Sequence, residues 1–335
     1  MSPPTVSVVI PLYQDASSIA VVLNALNAQE SAIAFEIIVV DDGSMDSGPE
    51  IAKAAGVTLL SQANAGPAAA RNAGADRARG SIILYLDADC VPPRNWLDDM
   101  SAQMLTGGFD AVVGTICPAN DGVVPRLIQS EVADRYRTMA HAFDGVDFIA
   151  APSCGTTRAL RERLGGFDET LRQAEDVEMG YRISQGGGRI AFVQSAPVAH
   201  HHQTTWQQFM CVKYRRAMGR IEVLNRYPDK RRADDWTPLQ FKVQVGAIGL
   251  AGIALALALL MWSLSWVMIA CALGGVAVIL GWPQVKTTAV HMRGLVQWPV
   301  GHVIGIGFVL ARAVVIIAGV ITHKLRRVMP RRTNA

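Results

Sequence analysis

Short apolar runs that end in acidic turns alternate with helical spacing through the N-terminal part of the chain. The runs at residues 6–11, 36–40 and 81–86 are rich in Val, Ile and Leu, and residues 17–30 carry apolar side chains three and four positions apart. Apolar runs of this length are typical of buried strands. Strands that alternate with helices predict an α/β domain with a mostly parallel sheet and right-handed crossovers.

The third run ends in Asp87-Ala88-Asp89, two carboxylates separated by one residue. Because side chains alternate along a strand, both carboxylates are expected to point the same way at its carboxyl end. Two acids in one small volume repel each other unless a cation compensates them, and oxygen ligands suit Mg²⁺ or Mn²⁺. Most Asp-x-Asp pairs are solvated loop residues, so the meaning of this pair depends on its neighbours.

Acidic residues also follow the two earlier runs. Asp15 comes after the first run, and Asp41 and Asp42 come directly after the second. Ligands of parallel sheets bind at the carboxyl ends of the strands. The sequence therefore predicts that these three acids converge with Asp87 and Asp89 on one edge of the sheet.

Hydropathy divides the chain into two parts. The 335 residues are 50% hydrophobic and 18% charged, with a mean hydropathy of +0.24, which is too apolar for an ordinary soluble enzyme. Residues 1–240 have the pattern of a globular α/β protein, and residues 243–322 hold nearly all the long apolar runs. The net charge of only +3 argues against a nucleic acid partner.

Cysteine usage and the N-terminus indicate a protein that faces the cytosol. The five cysteines show neither paired nor metal-ligand spacing, which predicts reduced structural thiols. No charged segment precedes the short N-terminal apolar run, so we expect no cleaved signal peptide. The cysteines are Cys90, Cys117, Cys154, Cys211 and Cys271.

Three apolar segments predict membrane helices. Residues 243–261 and 264–282 each approach the roughly 20 residues that a span requires, and Ser263 leaves almost no loop between them, so we predict a tight transmembrane hairpin. The third segment, 295–322, contains His302 and Arg312. A charge inside a span is often functional, but Arg312 could equally snorkel or mark a tilted interfacial helix.

The basic residues on either side of these segments raise a conflict. Clusters of Lys and Arg at residues 213–232 and 324–332 flank the apolar region, as expected on a cytoplasmic side that contacts anionic lipids. Three full spans would place the C-terminal cluster on the side opposite to a cytoplasmic N-terminal domain. Either the third segment does not fully cross, or the tail breaks the positive-inside rule.

Residues 205–226 predict an amphipathic helix with two possible placements. Trp206, Phe209, Met210 and Tyr214 share one side, and basic residues occupy the rest. This pattern suits a helix at a membrane surface. It suits equally a helix that packs on the domain with a solvated basic face. Other elements predicted beyond residue 90 include a strand at 109–117 and a helix at 122–143.

Taken together, these motifs resemble glycosyltransferase family 2, the inverting enzymes of GT-A fold that use nucleotide-sugar donors. The resemblance covers roughly residues 5–225, and its elements occur in the family's order. The matching segments are Val8-Val9-Ile10-Pro11-Leu12-Tyr13, Ile38-Val39-Val40-Asp41-Asp42-Gly43-Ser44, Asn64-Ala65-Gly66, Ala70-Arg71-Asn72-Ala73-Gly74, Leu86-Asp87-Ala88-Asp89, Leu164-Gly165-Gly166-Phe167-Asp168-Glu169, Glu175-Asp176-Val177-Glu178 and Val198-Ala199-His200.

The resemblance implies an α/β GT-A domain at residues 1–204, a nucleotide-diphospho-sugar transferase fold with a mostly parallel sheet flanked by helices. A basic interfacial segment at 205–242, a transmembrane region at 243–322 and a basic tail at 323–335 complete the predicted organisation.

The resemblance also implies a donor site at the strand ends. Acidic turns there would hydrogen-bond the base or ribose, and the guanidinium of Arg71 offers the planar donor fork that suits uracil or a diphosphate. The alternative for Arg71 is an ion pair on a helix surface. Asp89, more directly than Asp87, would hold Mn²⁺ or Mg²⁺, a Lewis acid for the departing diphosphate. The implied donor-binding residues are Pro11, Tyr13, Asp15, Asp41, Asp42, Arg71, Asp87 and Asp89.

Inversion at the anomeric carbon requires one base that takes the proton of the acceptor hydroxyl. Asp176 matches the family's catalytic base, at the start of a predicted helix. A carboxylate in a partly dry pocket can have its pKa raised toward the working pH. The alternative is that Asp176 only caps that helix; the Asp-x-Asp earlier in the chain favours the base.

His200 and a glycine-rich turn complete the implied site. His200 matches the position of a third metal ligand in some GT-A enzymes, although a histidine triplet is commonly just a polar turn. Glycines allow the backbone to approach a sugar closely, or they simply mark turns. The residues expected on the acceptor side are Gly155, Gly166, Phe167, Asp168 and Glu175.

Three functions remain open at this point. The Gln-x-x-Arg-Trp signature of processive synthases is absent, which favours transfer of a single sugar to a lipid-linked or cell-envelope glycan acceptor at the inner membrane, with the catalytic domain in the cytoplasm. A polyprenyl-phosphate sugar synthase is the alternative enzyme. A catalytically inactive nucleotide-sugar-binding scaffold is the alternative of another class, and the intact Asp87, Asp89 and Asp176 argue against it.

Overall fold

The computed structural model describes residues 3–140, 145–232, 234–235 and 237–328, so residues 329–335 of the predicted basic tail lie outside it. By their contacts the residues form two units, one of 1–120 with 139–201 and one of 121–138 with 202–335. The helices are α1 (Ala16–Asn27), α2 (Gly48–Ala54), α3 (Pro67–Arg77), α4 (Trp96–Leu105), α5 (Val123–Met139), α6 (Arg158–Leu164), α7 (Glu175–Gln185), α8 (Trp206–Arg226), α9 (Leu239–Met261), α10 (Leu264–Leu280), α11 (Trp282–His291) and α12 (Trp298–Val328).

Strands and helices alternate in the first unit, as the sequence predicts. Its larger sheet has the order β3-β2-β1-β4-β8-β6-β9, and a smaller sheet has the order β5-β10-β7. β1 to β4 pair in parallel, and β8 is antiparallel to both of its neighbours. The strands are β1 (Val6–Leu12), β2 (Phe35–Asp41), β3 (Thr58–Ser61), β4 (Ile82–Leu86), β5 (Cys90–Val91), β6 (Ala111–Val113), β7 (Ile116–Pro118), β8 (Ser153–Thr157), β9 (Ile190–Phe192) and β10 (Val198–His200).

The apolar runs form strands because their side chains are buried on both faces of the sheet. Every residue of β4 is buried between β1 and β8. On one face α1 packs through Ile19, Val22, Leu23 and Leu26, at the helical spacing seen in the sequence. Burial of each such side chain is worth about 1.5–3 kcal/mol. The prediction of an α/β domain with a mostly parallel sheet is confirmed.

The strand expected at residues 109–117 is in fact two strands. Gly114 lies between β6 and β7, and a Cβ added there would come within 2.5 Å of the Ser153 hydroxyl oxygen. The chain therefore leaves the larger sheet at this glycine and pairs with β10 in the smaller one. This pairing holds His200 at a defined position, opposite Cys90 of β5.

The second unit is helical in its described part. The sequence predicts α5 within a continuous domain 1–204, but by its contacts α5 groups with the C-terminal helices. α8 starts at a capping box formed by Thr205 and Gln208. Its Phe209 is buried against Phe308 of α12, with ring centroids 5.6 Å apart, so α8 packs on a helix through its apolar side. The boundaries of functional domains stay a prediction.

Within the described part of the chain, two helices are long and apolar enough to cross a membrane, Leu239–Met261 and Trp298–Leu325. The predicted hairpin appears as α9 and α10, with only Trp262 and Ser263 between them. α10 ends at Leu280, and α11 continues after a bend of 60°. The second apolar segment is therefore a helix of 17 residues and a break at Gly281, not one straight helix to Trp282.

Candidate functional site

Asp87 and Asp89 lie in a turn directly after β4, and not on the strand itself. The Cys90 amide donates to the Asp87 carbonyl oxygen at 3.0 Å, which closes the turn. The two carboxylates consequently take different partners, Asp87 with Arg71 at 2.7 Å and Asp89 with His200 at 3.3 Å. The period-two alternation on which the sequence expectation rested holds only along a strand, and it does not apply in this turn.

Asp89 and His200 come together with Cys90 in a small cluster. One ligand atom from each of the three lies within 4.8 Å of the others. Burial opposes ionisation of Asp89, but the hydrogen bond and charge of His200 outweigh it and lower the pKa of Asp89. Burial raises the pKa of Cys90, which donates its S–H to Asp89 at 3.5 Å. The cluster therefore offers one carboxylate, one imidazole and a protonated thiol.

This donor set fits a hard divalent cation such as Mn²⁺ or Mg²⁺. A carboxylate oxygen and an imidazole nitrogen suit such an ion, whereas a protonated thiol does not. Asp15 is a further acidic group near this cluster, and burial and the charges of Asp89, Asp46 and Asp87 raise its pKa. A cation would relieve this repulsion. Two protein ligands leave positions for phosphate oxygens.

Arg71 is buried between two carboxylates. Arg71 is 3% exposed. Its Nη2 contacts Asp87 at 2.7 Å, and its Nη1 contacts Glu175 at 2.9 Å. The guanidinium carbon lies 5.4 Å from the centre of the Phe167 ring. Arg71 is therefore not in a helix-surface ion pair. Its terminal donors are already engaged by the protein, so Arg71 positions Asp87 and Glu175 and does not present an open fork to a diphosphate.

Close packing of α3 on the sheet makes this burial possible. A Cβ added at Gly74 would come within 2.4 Å of Val9, so only glycine allows the helix to lie this near. Small residues also occupy positions 68–70 of the helix. The long side chain of Arg71 thus begins deep in the fold and reaches the end of β4.

Arg71→Met should lower the free energy of unfolding by about 3 kcal/mol, because Asp87 and Glu175 would lose the charge that compensates them. Urea unfolding of the purified full chain, followed by tryptophan fluorescence, measures the change. Arg77→Met is the matched control on the exposed part of the same helix, and we expect a change within about 0.5 kcal/mol. Equal stability of the two variants would show that the Arg71 bridge is dispensable.

Asp176 lies in the first turn of α7, and its neighbour Glu175 is the residue that Arg71 holds. Asp176 is half-buried and accepts hydrogen bonds from the backbone amides of Ala151 at 3.2 Å and Val177 at 2.8 Å. The helix cap is Ala174, so the alternative of Asp176 as the capping residue does not hold. Burial and the charge of Asp176 raise the pKa of Glu175.

Two residues with a strained backbone each directly precede an acid of the site. Ala174, before Glu175, has a φ of 65°, and Gln14, before Asp15, has a φ of 52°. Positive φ costs a residue with a Cβ about 1–3 kcal/mol, and such strain concentrates at functional sites. The strain at Ala174 sets the direction in which α7 starts, and with it the position of Asp176.

The predicted base and ribose ligands are largely engaged by the protein. Asp42 is 3% exposed and accepts from the Gln62 amide group and from the backbone amides of Ala65 and Gly66, each at 2.8 Å. Asp41 accepts from the Ser44 amide at 2.9 Å. These contacts order the loop that opens α3.

The remaining predicted donor residues, Pro11 and Tyr13, lie at and just beyond the carboxyl-terminal part of β1. Tyr13 is 52% exposed, and an exposed aromatic ring can stack on a nucleobase.

The expected acceptor residues have structural partners that the sequence did not reveal. Gly155 is buried in the middle of β8, where a Cβ would lie 2.4 Å from Leu84, so sheet packing explains this glycine and contact with a sugar does not. Phe167 is also buried, and its ring meets that of Tyr85 edge to face at 5.1 Å. Asp168 accepts from the amide and hydroxyl of Thr170 within its own turn.

Asn72 fastens this turn and was not singled out from the sequence. Its amide group donates to the Phe167 carbonyl and accepts from the Phe167 amide, both at 2.8 Å. A Cβ at Gly166 would come within 2.2 Å of the Asn72 side-chain oxygen, which explains the glycine. The signal was present, because Asn72 follows Arg71 in a segment that matched the family.

The mostly parallel sheet flanked by helices is a GT-A type fold. Residues 7–164 match the model of glycosyl transferase family 2. A mannosyltransferase from Pyrobaculum calidifontis, solved in complex with GDP-Man and Mn²⁺, has the same fold. It superposes with a TM-score of 0.58 over 96% of this chain and 88% of its own, at 17% identity.

Relatives in sequence are also named glycosyltransferases. Pre-mycofactocin glycosyltransferase of Mycobacterium tuberculosis is 29% identical over 245 residues, covering 67% of this chain and 48% of that protein. Glycosyltransferase AglE of Haloferax volcanii is 27% identical, covering 66% of this chain and 74% of that protein. The chain thus matches about half the length of the mycobacterial relative.

Proposed function

We propose that this chain is an inverting, metal-dependent glycosyltransferase that moves one sugar from a nucleotide-diphospho-sugar, of the UDP class, to a membrane-proximal acceptor. The acceptor is a lipid-linked or cell-envelope glycan. The observation that carries the proposal is the Arg71 bridge. It ties Asp87, two residues before Asp89, to Glu175, the neighbour of Asp176.

The roles divide between the two ends of this bridge. Asp89 and His200 would hold Mn²⁺ or Mg²⁺, which supplies Lewis-acid stabilisation of the departing diphosphate. Asp176 takes the proton of the acceptor hydroxyl. The acceptor oxygen bonds to the anomeric carbon as the bond between that carbon and the diphosphate breaks. Asp87, fixed by Arg71, lies beside the donor ribose. Tyr13 covers the base.

A structural neighbour supports a nucleotide-sugar donor and a divalent metal, but not the UDP class in particular. The mannosyltransferase from Pyrobaculum calidifontis was solved with a nucleotide-sugar and Mn²⁺. We infer an inner-membrane protein with its catalytic domain facing the cytoplasm, because α9 and α10 are apolar and basic clusters flank the apolar region.

One relative supports a second candidate function. Undecaprenyl-phosphate 4-deoxy-4-formamido-L-arabinose transferase of Pseudomonas aeruginosa is 37% identical over 120 residues, covering 33% of this chain and 35% of that protein. A polyprenyl-phosphate sugar synthase would use the lipid phosphate itself as acceptor. A phosphate oxygen is already ionised, so this reaction depends less on Asp176 as a base that takes a proton from the acceptor.

A panel of UDP-, GDP- and dTDP-sugars with membrane extracts tests the proposal. The purified full chain should turn over one nucleotide class in Mn²⁺ and attach the sugar to an extractable lipid or glycan. Hydrolysis of a donor in Mn²⁺ without acceptor would already exclude an inactive scaffold. If no donor is bound or turned over, the transferase proposal fails.

His200→Gln should weaken Mn²⁺ binding by about tenfold or more, since the variant keeps the size of the side chain but loses an imidazole ligand. Calorimetric titration of the full chain with Mn²⁺ in the presence of UDP measures this. His201→Gln changes the adjacent exposed histidine and should bind as the wild type does. Equal affinity of all three proteins would remove His200 from the metal site.

A further inference from the structure

α12 has the length and composition of a membrane span but not the surroundings of one. Its segment Trp298–Leu325 is long and apolar enough to cross a membrane. A helix in the hydrocarbon core faces lipid or other membrane helices, and exposed charged side chains on those neighbours are costly there. The neighbours of α12 within the second unit therefore decide whether it crosses.

The part of α12 from Phe308 to Gly319 lies beside a basic helix. Phe308 packs on Phe209 of α8, and a Cβ added at Gly319 would lie 2.9 Å from the Ala217 Cβ. Residue numbers rise together along both helices, so α8 runs parallel to α12 over the stretch between these contacts. The outer face of α8 exposes Arg215 and Arg216. Each arginine costs about 2.5–3.5 kcal/mol at the centre of a bilayer.

The middle of α12 faces a buried group of charges. Arg312 lies 3.6 Å from Glu131 of α5, and the same carboxylate oxygen contacts Lys213 and Arg135, each at 2.5 Å. Arg312 therefore does not snorkel from a lipid-facing position. It is held inward, among charged residues of α5 and α8.

The N-terminal half of α12 packs on a polar helix. A Cβ at Gly305 would lie 3.0 Å from the Val285 carbonyl oxygen of α11, so these two helices are in close contact. α11 is in turn hydrogen-bonded to α5. The Thr288 and Ser130 hydroxyls lie 3.0 Å apart, and the Arg137 guanidinium donates to the Thr287 hydroxyl at 3.0 Å. From Gly305 to Gly319, one side of α12 is thus covered by helices that carry polar or charged side chains. A neighbouring face, with Leu310, Ala313 and Ile317, packs on the apolar helix α9.

The opposite side of α12 is a narrow apolar stripe. At 100° per residue, its exposed large apolar side chains beyond the first residue fall within an arc of about 60°. They are Val300, Val303, Val314, Ile321 and Leu325, each between 46% and 68% exposed. A helix with one apolar stripe and a charged opposite side fits the plane of a membrane interface.

We propose that α12 lies along the membrane surface, with this stripe in the acyl boundary, and does not cross the bilayer. Of the predicted spans, only the α9–α10 hairpin then crosses. The basic residues before α9 and those after α12 fall on one side, in agreement with the positive-inside rule. The conflict between three full spans and a cytoplasmic basic C-terminal cluster is thereby removed. This inference is independent of the proposed catalytic function.

Cysteine labelling of the full chain in membrane vesicles tests the proposal. Gln297→Cys and Ala335→Cys, one before and one after α12, are compared in a background with Cys211→Ser and Cys271→Ser. We expect a membrane-impermeant maleimide to label both positions in one vesicle orientation and neither in the other. Labelling of the two positions from opposite faces would overturn the proposal.

A depth measurement gives a second, independent readout. Spin labels are placed at Val303, Val314 and Ile321, and their exposure to oxygen and to a water-soluble relaxation agent is compared. A surface helix predicts three similar, shallow depths. A deep label at Val314 between shallow labels at Val303 and Ile321 would show that α12 crosses. Labels at Met268 and Ile279 of α10 provide the profile of a crossing helix as reference.

Discussion

Asp176→Asn should reduce kcat for transfer to a hydroxyl acceptor by about 10²–10⁴-fold, the usual contribution of a general base. Asparagine has nearly the same shape, and its side-chain oxygen can still accept from the Ala151 amide, now 3.2 Å from Asp176. It cannot take a proton at neutral pH. Donor affinity should stay close to that of the wild type, because the base acts on the acceptor.

Initial rates with the donor identified in the panel measure this loss, and UDP binding checks that the donor site is intact. Glu162→Gln is the matched control, a neutralised carboxylate on the exposed side of α6. If Asp176→Asn kept full activity with a lipid phosphate acceptor, the second candidate function would be favoured. If it kept full activity with a hydroxyl acceptor, Asp176 would not be the base.

Glu131→Gln should lower the free energy of unfolding by about 3–5 kcal/mol, the cost of leaving buried charges without their partner. Glu131 is 2% exposed, and its carboxylate faces Lys213, Arg135 and Arg312. Glutamine keeps the volume and removes the negative charge that faces all three. Three like charges would then repel each other in a site with little water.

Guanidinium unfolding of the full chain in detergent, followed by circular dichroism, measures this change. Glu222→Gln is the control, because its pair with Arg226 at 3.5 Å on α8 is largely exposed and such pairs contribute about 0–1 kcal/mol. Equal stability of the two variants would contradict the account of the charged group.

The ionisation of Glu131 has a consequence for acid stability. Burial opposes its ionisation, but the charges of Lys213, Arg135 and Arg312 outweigh burial and hold the pKa of Glu131 well below its ordinary 4.5. A carboxyl with a lowered folded-state pKa stabilises the fold above its unfolded pKa. This contribution is lost only as the pH falls from 4.5 through the lowered value.

Local patterns were sufficient to predict the parallel strands at the start of the chain and their acidic edge. β-Branched runs with flanking turns identified β1, β2 and β4, and helical spacing identified α1. The rule that ligands bind at strand carboxyl ends identified the edge that carries Asp15, Asp87 and Asp89. These features depend on residues close together in sequence, so periodicity reveals them.

Side-chain partners distant in sequence could not be predicted in the same way. Arg71 bridges carboxylates 16 and 104 residues away, and nothing in its local pattern distinguishes burial from a surface ion pair. Asp87 and Asp89 take different partners because they lie in a turn, and strand periodicity does not predict the geometry of a turn. The Cys90 thiol joins Asp89 and His200 only because β5 pairs with β10.

The second unit shows the same limit for helices. The sequence revealed α9, α10 and α12 by hydropathy, but not that α5 would group with them. Hydropathy is summed around a helix, so it does not distinguish lipid from a charged neighbour. The partners of Arg312 supply that distinction.

Metal dependence of sugar transfer tests the central claim most directly. Transfer by the full chain is measured in Mn²⁺, after EDTA, and after Mn²⁺ is restored, for the wild type and for Asp89→Asn. We predict that EDTA abolishes transfer and that Mn²⁺ restores it in the wild type but not in Asp89→Asn. Full transfer after EDTA, or equal restoration of the variant, would contradict a metal site at Asp89 and His200.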